Sequence, residues 1–451
     1  MTRTTDKTEK NREERHGGLW AVSLLVILQV VGLIFFSMAT PEPAEAKTFI
    51  VNSTEDQIDT NPGDGVCQGE SGYCTLRAAI QEANAWPGSD VIKLKTGLYM
   101  LIIAGASENE CLTGDLDITD DLTITGTGAK NTFINGGKLD RVFHIIGSIS
   151  VTMTDITIQN GLATDNGYGD VNNANGGGIL NDADSTLTLK GITLSSNTAS
   201  WSVNSSGGGI YNSGTLVITR SLLSKSTITN NAAIGGSGTV VGGAIYNAGT
   251  AKIKSATISE NIVSAPNLGF GGAIFNPNTG ILEVRGSTIS NNTVAANGQY
   301  AEGGAISCNG IVTITQSTIS DNTAQGGLHG DGGGIVNGGT LTITTSIISR
   351  NIARGAFAAG GGIASFIGYV VITGSTLSYN AASAVSGNPG MGGGIFWGAN
   401  TDIKVQGASK ILWNFSSDAG GGICYGGAVM GSISADSIVS KNIPDNIYPN
   451  P

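Results

Sequence analysis

The chain has 451 residues, 69 of them Gly, and only 13% are charged; glycine stands at about twice its usual share and charge at about half. With 10 Pro and no Gly-X-Y period, a collagen helix is excluded, and glycine's cost of about 1 kcal/mol per helical position excludes bundles and coiled coils. The net charge of −11 argues against a nucleic-acid partner, which needs a basic surface. Hydrophobic residues at 40% supply a core, so the composition points to a β architecture whose glycines recur at turns.

Residues 1–16 carry five Lys/Arg and are followed by an uncharged apolar run from Leu19 to Ala39, then by Ala44-Glu45-Ala46. Two readings stand: a secretory signal cut before Lys47, or a retained helix whose 21 residues span a bilayer. Both export the chain, so the expected location is secreted or cell-surface, with membrane contact only through residues 19–39 if uncleaved. The expected divisions are 1–46 (signal or anchor), 47–110 (N-terminal cap), 111–442 (repeats) and 443–451 (tail). In the turn-rich stretch that follows, Cys67 and Cys74 are expected to form a local disulfide. Cys111, Cys308 and Cys424 remain, and the last two sit on repeat positions as buried thiols. No spacing suggests zinc.

Thr75 to Asn84 is the one convincing helix, with Leu76, Ala79, Ile80 and Ala83 on one face and Trp86-Pro87 as a stop. It is expected to plug the first coil and hide a sheet edge. Weaker strands follow at Val91–Leu94, Leu116–Ile118, Leu122–Ile124, Val142–Ile146 and Ile156–Gln159. From there Gly-Gly-Gly-Ile, Gly-Gly-Ala-Ile and close variants recur, with Ile at 179, 210, 245, 274, 306, 335, 363, 395 and 423, at intervals of 28 to 35 residues. Each unit ends on an Asn, at 197, 231, 261, 292, 322, 351, 380, 414 and 442. The stretch from Asn to the next Ile shares no pattern and reads as a free loop. Within the fixed part the apolar period is two, as in Val312 and Ile314 or Leu341 and Ile343, which marks strands with one buried face. Three short strands per unit cannot bury that face alone, but stacked units can. The predicted fold is all-β: a right-handed parallel β-helix of about twelve coils. Propeller blades need 40 to 45 residues and do not fit. The Asn are expected to hold left-handed corners and bond amide to amide between coils. Pro444, Pro449 and Pro451 should discourage pairing at the far end.

Cys74-Thr75-Leu76-Arg77-Ala78-Ala79 resembles the Cys-Ser-Leu-Arg-Glu-Ala motif of a group of secreted bacterial proteins, departing from it at Thr75 and Ala78. Gly114-Asp115-Leu116-Asp117-Ile118-Thr119 is similar to a run common in that group. The repeats resemble those of polymorphic outer membrane proteins and the wider pectin-lyase-like superfamily. The resemblance covers residues 47 to 442 and implies the β-helix, while the superfamily's functions range from polysaccharide lyases and glycosidases to adhesins.

Four residues before the repeat Ile, only Glu302 and Asp331 are acidic; they fall on adjacent coils, with His329 beside Asp331. Carboxylates about 5 Å apart can divide acid and nucleophile roles on a glycoside, or simply be solvated in loops. Asp115, Asp117, Asp120 and Asp121 could take calcium through oxygen ligands or keep a sheet soluble; no other cofactor or metal is expected. Tyr168, Trp201, Phe270, Tyr300 and Phe357 fall in the apparent loops, suited to sugar faces or a protein partner. The leading expectation is an adhesin-like scaffold that binds glycans or other surfaces. The alternative is a polysaccharide lyase or glycoside hydrolase.

Overall fold

The computed structural model describes residues 45–451 apart from 107, 171, 386, 428, 429, 450 and 451, and the apolar run at 19–39 lies outside them. Among the described residues, no helix is long and apolar enough to cross a membrane.

Period-two patterning produces the strands and their stacking. In one coil, Ile306–Cys308 and Ile311–Thr315 lie in a 23-stranded sheet and Thr318–Ser320 lies in a 12-stranded sheet. Val312, Ile314 and Ile319 are fully buried and pair in parallel with Leu341, Ile343 and Ile348 of the next coil. Each such side chain stabilises by about 1.5–3 kcal/mol through burial, and the alternate threonines face outward. Repeated through twelve strands of the second sheet, this gives a parallel β-solenoid of about twelve turns.

The stretch between each Asn and the next Ile is not a free loop. It carries two further strands per coil, such as Thr323–Gly326 and His329–Asp331, which stack into a nine-stranded and an eight-stranded sheet. Their inward residues are small, as with Ala324 and Gly330, because the coil is narrow there.

The Asn column is fully or almost fully buried, and its amides bond from coil to coil: Asn292 Nδ2 donates to Asn322 Oδ1 at 2.9 Å, and Asn322 Nδ2 to Asn351 Oδ1 at 2.9 Å. The left-handed residue is not the Asn but the one before it, such as Asn291, Asp321, Arg350 and Tyr379. That turn swings the Asn side chain inward, where its amide is satisfied. A second ladder follows the repeat Ile, through Asn181, Asn212, Asn247 and Asn276; the buried Cys308 replaces an Asn in it. Glycine is required at the turn into this strand. Gly303 has φ 67°, and a Cβ on Gly304 would lie 2.2 Å from the Gly333 carbonyl oxygen.

Helix α1 (Leu76–Ala85) begins one residue later than expected, with the Thr75 hydroxyl accepting from the Ala78 amide as its N-cap. Cys67 and Cys74 are disulfide-bonded just before it. Arg77 is fully buried: it pairs with Asp56 at 2.7 Å and donates to the carbonyls of Gly114 and Asp115. The cap is thereby tied to the Asp115 run. At the far end, Ile447–Tyr448 still pairs with the strand at Ile423, so pairing continues past Pro444.

Candidate functional site

Strand alternation turns the residue after each repeat Ile outward, and stacking brings those residues into one column. Asp117, His144, Leu180, Tyr211, Tyr246 and Phe275 are successive register partners. Tyr211 and Tyr246 stack at 4.6 Å and 7°, Tyr246 and Phe275 at 5.7 Å and 30°, and Phe270 tilts against Phe275 at 6.1 Å. Tyr246, Phe275 and Phe270 line a groove of about 430 Å³, with Asn173, Asn204 and Thr239 on its other side and Glu302 at one end. The groove's far side is the outer face of the eight-stranded sheet, whose strands include Asn173–Asn175, Asn204–Ser206 and Thr239–Val241.

Farther along that sheet face the polar side chains give way to rings. Tyr300, His329 and Phe357 form a continuous stack, with centroids 4.9 and 5.1 Å apart. Alongside it, Glu302 and Asp331 are direct register partners on adjacent strands. Burial raises the Glu302 carboxyl to about 7. Burial, reinforced by Glu302, raises Asp331 to about 8, while a 3.1 Å bond from the Ala359 amide pulls the other way. His329 Nδ1 lies 3.8 Å from Asp331 Oδ2, and burial lowers its pKa. The three residues singled out as a pair of acids and a histidine therefore meet in space, in strands rather than loops.

The five candidate ring residues do not form one surface. Phe270 enters the groove, and Tyr300 and Phe357 enclose His329. Trp201 ends the strand Thr198–Trp201, and Tyr168 sits over His144 with its hydroxyl donating to Asp182. Tyr211, Tyr246 and Phe275 were missed by reading only the loops; the signal was the residue after the repeat Ile in Gly-Ile-Tyr-Asn, Ala-Ile-Tyr-Asn and Ala-Ile-Phe-Asn.

The N-terminal end of the column is a buried charge cluster. Asp115 and Asp117 are not solvated acids on a sheet: they are 2% and 0% exposed. Arg141 Nη1 bonds Asp115 at 3.1 Å, and Asp140 and Asp165 also flank its guanidinium. Burial lifts Asp115 to about 7 and Asp140 to about 6 against the pull of Arg141. His144 presents Nδ1 to Asp117 at 3.5 Å and Nε2 to Asp182 at 3.4 Å. Burial disfavours its charge, but the two carboxylates prevail and raise it to about 9. Asp120 and Asp121 stand apart, accepting from backbone amides of Asp121 and Ser150.

No protein-family model, curated protein or solved structure matches the chain.

Proposed function

We propose that the protein is an exported β-helix scaffold that binds an extended glycan along its groove, in the manner of a surface adhesin. The observation that carries this reading is the groove that Tyr246, Phe270 and Phe275 line together with Asn173, Asn204 and Thr239, with Tyr211 stacked behind Tyr246. Ring faces suit the apolar faces of sugars, and amide and hydroxyl groups suit their hydroxyls. Coils repeat at about 4.8 Å, so successive rings offer successive sugar units similar contacts. Export is supported by the apolar run at 19–39 with its Ala-x-Ala site, and by the Cys67–Cys74 disulfide, which persists in oxidising compartments. The motif at Cys74–Ala79 supports kinship with the secreted Cys-Ser-Leu-Arg-Glu-Ala group and its polymorphic-outer-membrane-like repeats.

A second reading, glycoside hydrolysis, is favoured by the Glu302–Asp331 pair. The two are register partners on adjacent strands, whose ordinary spacing of about 4.8 Å is near the ~5 Å carboxyl separation of retaining enzymes, and the raised pKa of Asp331 suits a general acid. One experiment separates the readings: glycan-array binding and reducing-sugar release measured on the full chain, Tyr246→Ala, Phe275→Ala, Glu302→Gln and Asp331→Asn. Binding lost in the two ring variants, with no sugar release by any protein, is the scaffold result. Release abolished by Glu302→Gln or Asp331→Asn is the hydrolase result. Binding unchanged in both ring variants overturns the groove as the glycan site.

A further inference from the structure

We propose that Asp115, Asp117 and His144 form a site for one divalent transition-metal cation of the zinc or manganese class, at the N-terminal end of the outward column. One ligand atom from each residue lies within 4.8 Å of the others, and all three residues are buried. Asp117 Oδ1 and both ring nitrogens of His144 have no hydrogen-bond partner although neither residue is exposed. Asp117 Oδ1 and His144 Nδ1 face each other at 3.5 Å, close to the ~3.3 Å edge between two ligands of a tetrahedral ion with bonds of about 2.0 Å.

The surroundings orient these atoms as an outer shell does. Asp117 Oδ2 accepts from the Cys111 amide at 2.9 Å, which leaves Oδ1 free to point at His144. Arg141 holds Asp115 from the side. The other ring nitrogen of His144 faces Asp182 at 3.4 Å, and Tyr168 in turn bonds Asp182. A carboxylate behind the non-ligating nitrogen fixes the tautomer of a metal-bound histidine. Charge points the same way. Asp115, Asp117, Asp140, Asp165 and Asp182 gather around Arg141 and His144, while the nearby Arg77 is paired with Asp56, and a buried excess of carboxylates costs several kcal/mol per ion unless a cation offsets it. An imidazole among the ligands favours zinc or manganese over calcium, whose ligands are oxygens.

Because the cluster is enclosed, the ion must enter during folding. The test unfolds the full chain in guanidinium with EDTA and refolds it with Zn²⁺, Mn²⁺, Ca²⁺ or EDTA alone, followed by gel filtration and measurement of retained metal. The expected result is one equivalent of Zn²⁺ or Mn²⁺ per chain and an unfolding midpoint at least about 3 °C above the EDTA sample. Asp117→Asn and His144→Gln should retain less than a tenth as much metal, and Asp120→Asn as much as wild type. Co²⁺ refolded into the wild type should show ligand-field absorption, a readout that needs no variant to fold. Failure of the wild type to retain Zn²⁺ or Mn²⁺ overturns the proposal and leaves a protonated His144 balancing Asp117 and Asp182. Retention of only Ca²⁺, or full retention by a folded Asp117→Asn or His144→Gln chain, overturns it too.

Discussion

Replacing Asn322 by alanine tests how much of the solenoid's stability resides in its buried amides. Asn322 Oδ1 accepts from the Asn292 backbone amide at 3.0 Å and from Asn292 Nδ2 at 2.9 Å. Its Nδ2 donates to the carbonyls of Ile289 and Ser320, at 3.1 and 2.9 Å, and to Asn351 Oδ1 at 2.9 Å. In Asn322→Ala the Asn292 side-chain amide keeps the Ile258 and Ser290 carbonyls, but its backbone N–H loses this acceptor in a site closed to water. That orphan costs about 2 kcal/mol and the four remaining lost bonds about 0.5–1 kcal/mol each, so the variant should lose about 4–6 kcal/mol. The neighbouring Asp321→Asn, which tolerates the same left-handed φ of 60°, removes the charge pairing with the exposed Arg350 and should cost under about 1 kcal/mol. Urea unfolding followed by circular dichroism gives the comparison. Stacked repeats can open in segments, so hydrogen exchange at the Asn292 amide should be read alongside, with protection falling in Asn322→Ala only. A loss below about 1 kcal/mol with that amide still protected would refute the reasoning.

Three further outcomes are expected. Glu302 and Asp331 carry folded-state pKa values of about 7 and 8, above the usual carboxylate values near 4. Their contribution should be complete below about pH 4 and lost as pH rises through 7 to 8, and a pH series of urea midpoints should show a shallower decline in Glu302→Gln and Asp331→Asn. Gly304→Ala places a Cβ 2.2 Å from the Gly333 carbonyl oxygen, forcing two coils apart; a thermal melt should show a loss of about 3 kcal/mol. Arg77→Met strands the buried Asp56 carboxylate and should cost the cap about 3–5 kcal/mol, visible as faster limited proteolysis within residues 47–110.

The fold was legible in the sequence wherever an inward position demanded a large apolar side chain. Val312, Ile314 and Ile319 announce their strands by size and spacing, and the same is true of every coil built on that frame. The two remaining strands were illegible for the opposite reason. At Ala301, Ala324, Gly330 and Ala353 the interior leaves room for little more than a methyl group, so burial left no apolar rhythm to detect; a Cβ on Gly330 would lie 1.8 Å from the Arg354 carbonyl oxygen. Much of the unexplained glycine and alanine is core, not connection. At the candidate site, Glu302 and Asp331 were found because register alone puts them side by side. The wall of Tyr211, Tyr246 and Phe275 is hard to read from the sequence because it lies in the regular part of the repeat, where period-two alternation makes each outward residue look like ordinary strand surface. The Asp115 to Asp182 cluster draws on segments up to 67 residues apart in the chain, and no local spacing encodes it.

The Asn ladder also has a direction and two distinct ends. It starts where Gly161 donates to Asn197 and stops where Asn442 donates to Asn446 in its own coil, four residues on. Between those ends each amide needs only a neighbour one coil away, whatever that coil contains. Excising residues 293–322, the 30-residue step from Asn292 to Asn322, would hand Asn292 on to Asn351 and leave the chain of amides closed. Excising half that length would not. The ladder thus acts as a unit of account for length: the solenoid can shorten or grow by whole coils at little cost in its interior, and the groove on its outer face changes reach in the same integer steps.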